Sequence, residues 1–424
     1  MTGEGAAPGR RRRGPDGRLV VLMITAFMDM VGLLMVIPLL PFYALDLGAS
    51  GFVVTLLVAS YSVAQLLSAP LWGRFSDRYG RRPALLVGLV ASAIAYVVFA
   101  YADSLWLLFA SRVVQGAGGG TVGVIQAYVA DATRPEDRAK SLGWLSAATN
   151  LGVAIGPVLG SQTLVFGRPA PGLIAAAFCV VNIAFAARYL TESHDVAGAR
   201  AAPAAPRRSR EAVARVLSHP ADAASRLIMI YAIAMGAFMG ANAVLALFLE
   251  RRYDVTAQTI GYFFTYIGVL SVFTRALVLG RMVDHFGEAR LSRIGTVLLA
   301  TGLVALPFTF DYVSLALAVA LLPLGTAFTF PCVTAMLSHV IPSHERGLYM
   351  GVQQTFGGIT RSMFPAIFGL AFDHLGTGVP FWIGGVLVAG TLLLGVGMER
   401  HATGRPPDAP ANDRSREPVG AARR

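Results

Sequence analysis

The stretch Gly73-Arg-Phe-Ser-Asp77-Arg78-Tyr-Gly80-Arg81-Arg82-Pro83 joins two long apolar runs, and its pattern returns later in the chain. Gly73 and Gly80 permit a tight turn at a helix end, because glycine takes positive φ without steric cost. Asp77 stands alone among four arginines and suits a place near a helix N-terminus, where negative charge is favoured. The same spacing recurs as Gly280-x-x-x-Asp284-x-x-Gly287. Asp103 recurs as Asp311, Arg138-x4-Gly143 as Arg346-x4-Gly351, and Pro171 as Pro380, always at an offset of 207 to 209. Four matches in one register mark an internal duplication.

Outward from this stretch the chain is too apolar for water. Of its 424 residues 55% are hydrophobic and only 14% charged, whereas a soluble domain carries about 25% charged residues. Mean hydropathy is +0.61. A soluble enzyme, a nucleic-acid binder and a disordered chain are excluded as readings. The pI near 10.1 does not reverse this, since the charges sit between apolar runs. Twelve runs approach the roughly 20 residues that a spanning helix needs. In the first half they cover 19–42, 51–72, 84–101, 105–129, 142–166 and 171–190. In the second they cover 227–249, 256–279, 291–310, 313–337, 348–371 and 379–398. Internal Gly and Pro are compatible with spanning helices, because neighbouring helices satisfy the freed backbone groups. The first run is too long for a signal peptide.

The predicted fold is therefore an all-α membrane protein of twelve transmembrane helices in two six-helix, pseudo-symmetric bundles. The predicted domains are a disordered basic N-terminus (1–18), an N-terminal bundle (19–190), a linker rich in Ala, Pro and Arg (191–226), a C-terminal bundle (227–398) and a disordered tail (399–424). All basic residues but Lys140 are arginine. Arg112, Arg275 and Arg361 fall inside spans, and Arg168, Arg251 and Arg252 lie on one side; all others lie on the opposite side. Cytoplasmic segments hold the Lys/Arg excess, so both termini and the linker are predicted to be cytoplasmic. Arginine in place of lysine fits a GC-rich bacterium, and hence a multi-pass protein of the bacterial inner membrane.

Cys179 and Cys332 both lie in apolar runs, which excludes a disulfide framework and a CxxC metal site. No Walker loop or HExxH sequence occurs. No cofactor, no metal site and no enzymatic activity are expected, and the implied partners are a small-molecule substrate, protons and the bilayer. Two duplicated halves with a substrate between them are the plan of secondary transporters, and such a chain is expected to work as a monomer.

The motif between the second and third spans resembles the signature loop of the major facilitator superfamily. That resemblance covers nearly the whole membrane part. It implies a gating role for Gly73, Asp77, Arg78, Gly80, Arg81 and Arg82, with Asp77 holding the two halves together in one conformation, near the start of the eleventh helix at Gly347. Arg112-Val-Val-Gln115-Gly116 resembles the buried-arginine motif of drug/proton antiporters, and Gly152-x3-Gly156-Pro157-x2-Gly160 the helix motif of antiporters. Within that group, Phe27-Met-Asp29-Met-Val-Gly32-Leu33-x4-Pro38-x2-Pro41, Tyr61-x3-Gln65-x4-Pro70-x-Trp72-Gly73 and Leu105-Trp106 resemble tetracycline/proton antiporters. The places of three further tetracycline ligands are held here by Ala95, Ser271 and the Ala300–Thr301 region. The resemblance implies export of small amphiphilic, drug-like compounds by proton antiport through alternating access.

The residues themselves offer the chemistry for this. Asp29 is the one carboxylate deep in an apolar run, near mid-bilayer by helix rise. An ionisable group there costs about 2.5–3.5 kcal/mol on insertion scales and by default marks function. Arg112 lies at a compatible depth, so a direct or water-bridged contact with Asp29 is expected. Arg361 is too deep in its span to snorkel, which suggests a cavity-facing cation and, as an alternative substrate, an organic anion or metabolite. Arg275 lies nearer a span end, where snorkelling competes with a cavity role. Gln65, Gln115, Asn150, Asn182, Asn242, Gln353 and Gln354 are polar groups within spans. Each is a candidate for substrate contact or for an interhelical hydrogen bond.

Overall fold

A computed structural model describes residues 17–133, 137–192, 208–342 and 344–397. The termini expected to be disordered, apart from Gly17 and Arg18, and much of the linker lie outside the described residues. Every regular element among them is helical. Span one comprises α1 (Gly17–Val36), a 3₁₀ turn at Ile37–Leu39 and α2 (Leu40–Asp46), with Pro38 opening the turn. Spans two and three are α3 (Gly51–Tyr79) and α4 (Arg81–Ala100). Span four is divided into α5 (Leu105–Gly118) and α6 (Thr121–Ala132). Spans five and six are α7 (Arg138–Thr163) and α8 (Ala170–Tyr189). The linker contains α9 (Arg208–Ser218).

In the second half, α10 (Ala223–Tyr253) is span seven. Span eight is α11 (Ile260–Phe273), a π turn at Thr274–Val278 and the start of α12 (Leu279–Ala305). The rest of α12 is span nine, set off where Gly287 takes φ 73°. Spans ten to twelve are α13 (Tyr312–Val340), α14 (Arg346–His374) and α15 (Val379–Leu394). Among the described residues, eight helical stretches are long and apolar enough to cross a membrane outright. One of these, Ile260–Phe308, holds two spans joined through Gly287. The remaining three spans are the divided fourth, the more polar eleventh and the short twelfth.

Local chemistry sets these boundaries. Gly80 takes φ 103° between α3 and α4, and Gly287 makes the matching bend in the second half, as the repeated Gly-Asp-Gly spacing predicts. Ser50 caps α3 by accepting from Val53 N at 3.4 Å. Asp311 caps α13, accepting from Ser314 N at 2.7 Å within a reciprocal capping box. Hydrogen bonds from Ser314 hold the exposed Asp311 carboxyl below its ordinary pKa.

α7 lies directly on α1. A Cβ at Gly152, Gly156 or Gly160 would collide with Met30, Leu34 or the Met35 backbone respectively. Small residues at four-residue spacing let helices approach this closely.

The two halves meet through α3 with α14 and α7 with α11. We call the side reached by the start of α1 and the end of α15 the terminal face, and the opposite side the far face. Three hydrogen bonds join the halves among the described residues, all toward the far face. Phe52 N donates to Asp373 Oδ2 at 2.8 Å, Gly261 N to Ser161 Oγ at 3.0 Å, and Gln162 Nε2 to Tyr262 Oη at 2.9 Å. At the terminal face Gly73, Gly280, Gly347 and Gly351 have open space around them. The helix pairs therefore diverge from a sealed far face. Amphipathic α9 covers part of the terminal face, packing Ala212 and Val216 against α14 and α10.

Candidate functional site

Between the halves lies a cavity of about 900 Å³. Its wall runs from Pro41 and Ala246 down to Ser76 and Arg81 at the terminal end of α3 and α4. Of the polar residues singled out in the sequence, Gln65, Asn242, Gln354 and Arg361 line it, together with Arg112 and Arg81. Gln65 Nε2 donates to Gly119 O at 3.1 Å, Gln354 Nε2 to Tyr231 Oη at 3.4 Å, and Asn242 Nδ2 to Phe238 O at 2.8 Å.

Other candidates sit elsewhere. Gln353, 1% exposed, does not line the wall beside its neighbour Gln354. It accepts instead from Thr334 at 3.3 Å. Gln115 is buried off the cavity, and Asn150 does not line it. Asn182 donates to Thr25 O at 3.0 Å, tying α8 to α1. Arg275 also lies off the cavity, in the π turn at Thr274–Val278, with Nε buried and unpartnered. Ala95, Ser271 and Ala300 do not line the cavity either.

Asp29 stands just behind this wall at 7% exposure. Thr121 Oγ1 donates to its Oδ2 at 3.1 Å. Thr121 is the first residue of α6, so the interruption of span four at Gly119–Gly120 delivers both the hydroxyl and a helix N-terminus to the carboxylate. That end of a helix favours negative charge. The sequence reads 105–129 as one continuous helix and so misses Thr121. The run Gly118-Gly119-Gly120 is the available signal, because interrupted spans mark binding sites in transporters.

No direct hydrogen bond or ion pair joins Asp29 and Arg112. Arg112, 1% exposed, instead donates from Nε and Nη2 to Ser111 Oγ at 3.3 and 3.1 Å. Its guanidinium stands 5.7 Å from the Phe99 ring centre, and Nη1 has no partner. The buried hydroxyl of Tyr96 is also unpartnered. Tyr96 of α4 packs against α1, where a Cβ at Gly32 would stand 3.5 Å from its hydroxyl.

At the terminal face Arg81 organises the signature loop. It pairs with Asp77 at 2.7 Å and Asp131 at 3.0 Å and donates to Ser76 Oγ at 2.9 Å. Glu192 caps α4, accepting from Arg81 N at 2.9 Å and Arg82 N at 3.1 Å. All these groups belong to the first half except Glu192, at the start of the linker. In this structure Asp77 is engaged by Arg81 within its own half; its expected place near Gly347 belongs to the state closed at this face.

The family model described as Major Facilitator Superfamily matches residues 22–278 and 227–424. The chain belongs to the Major Facilitator Superfamily. Tetracycline resistance protein, class C, of Escherichia coli is 31% identical over 356 residues, covering 83% of this chain and 89% of that protein. Multidrug resistance protein 1 of Bacillus subtilis (strain 168) is 26% identical, covering 88% and 93%. The crystal structure of the human organic anion transporter MFSD10 superposes with a TM-score of 0.68 at 22% identity, over 90% of this chain and 100% of that one. The chain is thus a multi-pass membrane transporter of small molecules, and the fold is the twelve-helix fold of the superfamily.

Proposed function

We propose that this transporter exports small amphiphilic compounds by proton antiport, with Asp29 as the proton carrier. The observation that carries this reading is Asp29 itself, buried mid-span behind the cavity wall and held by Thr121 at an interrupted helix. Likeness to tetracycline and multidrug resistance proteins supports the substrate class. Tyr96 of α4 packs against Gly32 of α1 with its hydroxyl unpartnered, so small rotations of α1 against α4 and α5 would let it join Asp29 to Arg112 in one state and not in the other. Making and breaking that connection couples proton binding to conformation. Arg112 serves as the partner that appears in one state and not in the other.

In this reading the terminal face is cytoplasmic in a bacterial inner membrane, and the structure corresponds to the inward-open state of a monomer. Bundles 19–190 and 227–398 rock about the cavity, joined by 191–226. Gly73, Asp77, Arg78, Gly80, Arg81 and Arg82 form the cytoplasmic gate, and Gly152, Gly156, Pro157 and Gly160 form the rigid contact of α7 with α1. Inverted membrane vesicles from cells expressing the chain test this. An imposed pH gradient should drive dye uptake into them, and collapsing the gradient should abolish it. Uptake indifferent to the gradient would remove the proton from the cycle.

A further inference from the structure

Among the described residues no Asp or Glu lines the cavity, whereas three arginines do. Arg81 is neutralised by Asp77 and Asp131. Arg112 and Arg361 are not, since neither makes an ion pair with any described residue. Arg112 Nη1 and Arg361 Nε are buried without hydrogen-bond partners. Arg112 comes from the first half and Arg361 from the second. Tyr61 on the wall lies within electrostatic range of both guanidiniums and of Asp29 behind the wall, so the two cations flank one part of the cavity. The guanidinium of Arg361 reaches toward Leu66 of the first half, beside Gly358. Asp29 does not contribute to the wall and is engaged by Thr121.

Buried cations in a membrane protein are normally paired or face a water-filled cavity that carries ligand. Unsatisfied guanidinium donors in a low-dielectric cleft favour a carboxylate, sulfonate or phosphate, which accepts charge-assisted hydrogen bonds. Among the described residues on the wall itself, a cationic drug would meet only like charge. Met30, Leu66, Met239 and Phe264 on the wall suit an aromatic or aliphatic body.

We infer that the central cavity selects amphiphilic organic anions, whose acidic group is held between Arg361 and Arg112 while the apolar body rests on the methionine-lined wall. This rests on the reading of the cavity as the substrate site, and it names the charge class of the substrate. Both a soluble organic acid and the anionic headgroup of a single-chain lipid present this chemistry.

The test is equilibrium binding to purified protein in nanodiscs of neutral lipid, with no pH gradient, so that its outcome is independent of proton coupling. Fluorescein at mildly alkaline pH and rhodamine 123 share a xanthene ring and carry opposite charge. Fluorescence anisotropy should show fluorescein binding the wild-type protein more tightly. Arg361→Gln should weaken fluorescein by about tenfold or more, the scale of a lost hydrogen bond to a charged group, and leave rhodamine 123 unchanged or tighter. Arg361→Lys should retain part of the affinity, which separates lost charge from misfolding. Displacement of fluorescein by benzoate, or by lysophosphatidylglycerol and not lysophosphatidylcholine, would support the site and identify the source of the anion. Tighter binding of rhodamine 123 to wild type, or an unchanged fluorescein affinity in Arg361→Gln, would overturn the inference. So would equal displacement by both lysolipids.

Discussion

Asp29 illustrates how much one residue can carry and how much its neighbours hide. Its depth follows from counting along an apolar run, so a candidate proton carrier is readable from the sequence alone. Its partner is not readable, because Thr121 is distant in sequence and reaches it only through the break at Gly119–Gly120. Depth alone points to Arg112 as the partner. Depth fixes height in the membrane but not azimuth about the helix, and Arg112 points to Ser111 and Phe99. Asp29→Asn keeps the shape and removes the proton, so pH-driven dye accumulation in inverted vesicles should fall to background while the protein still folds. Thr121→Val removes a hydrogen bond to a charged group, of order 1.5–3 kcal/mol. It should slow coupled transport about tenfold, with Thr121→Ser near wild type; equal rates in Val and Ser variants would deny the hydroxyl a role.

At the scale of elements, the sequence locates all twelve spans, because apolar length is what a bilayer demands. The duplicated Gly-Asp-Gly spacing likewise places the turns at Gly80 and Gly287. What escapes is the interior of spans. The division into α5 and α6, the π turn at Thr274–Val278 and the helix α9 depend on tertiary neighbours, and apolar runs look alike whether straight or broken. The contact of α7 with α1 tests the packing argument. A Cβ at Gly156 would sit 2.7 Å from Leu34 Cβ and 2.9 Å from Val31 O. Gly156→Ala should cost about 1–3 kcal/mol, the usual penalty of overpacking, and lower the thermal unfolding midpoint in detergent. Gly143→Ala, at a site with open space on the same helix, should leave it near wild type. Equal midpoints for both variants would contradict close packing at this seam.

For the whole molecule, the far-face bonds and the open terminal face define one end of a transport cycle. Cysteines replacing Gln162 and Tyr262, whose side-chain tips are bonded at 2.9 Å, should be bridged in this state by a flexible bis-methanethiosulfonate linker, arresting transport until the linker is reduced. If Asp77 leaves Arg81 for the start of α14 as the gate closes, Asp77→Asn weakens the closed gate more than the open one, by about tenfold if the shift reaches about 1.4 kcal/mol. Crosslinking between cysteines at Gly73 and Gly347 should then fall, and an unchanged yield would leave Asp77 outside the gate. The central claim is that substrate and proton move in opposite directions through this one protein. Its most direct test is proton flux in proteoliposomes that enclose a long-wavelength pH reporter, with an outward gradient of whichever xanthene dye binds. The account predicts proton entry evoked by dye exit with the wild-type protein and none with Asp29→Asn. Dye exit without proton entry in the wild type, or equal proton entry in both proteins, would contradict it.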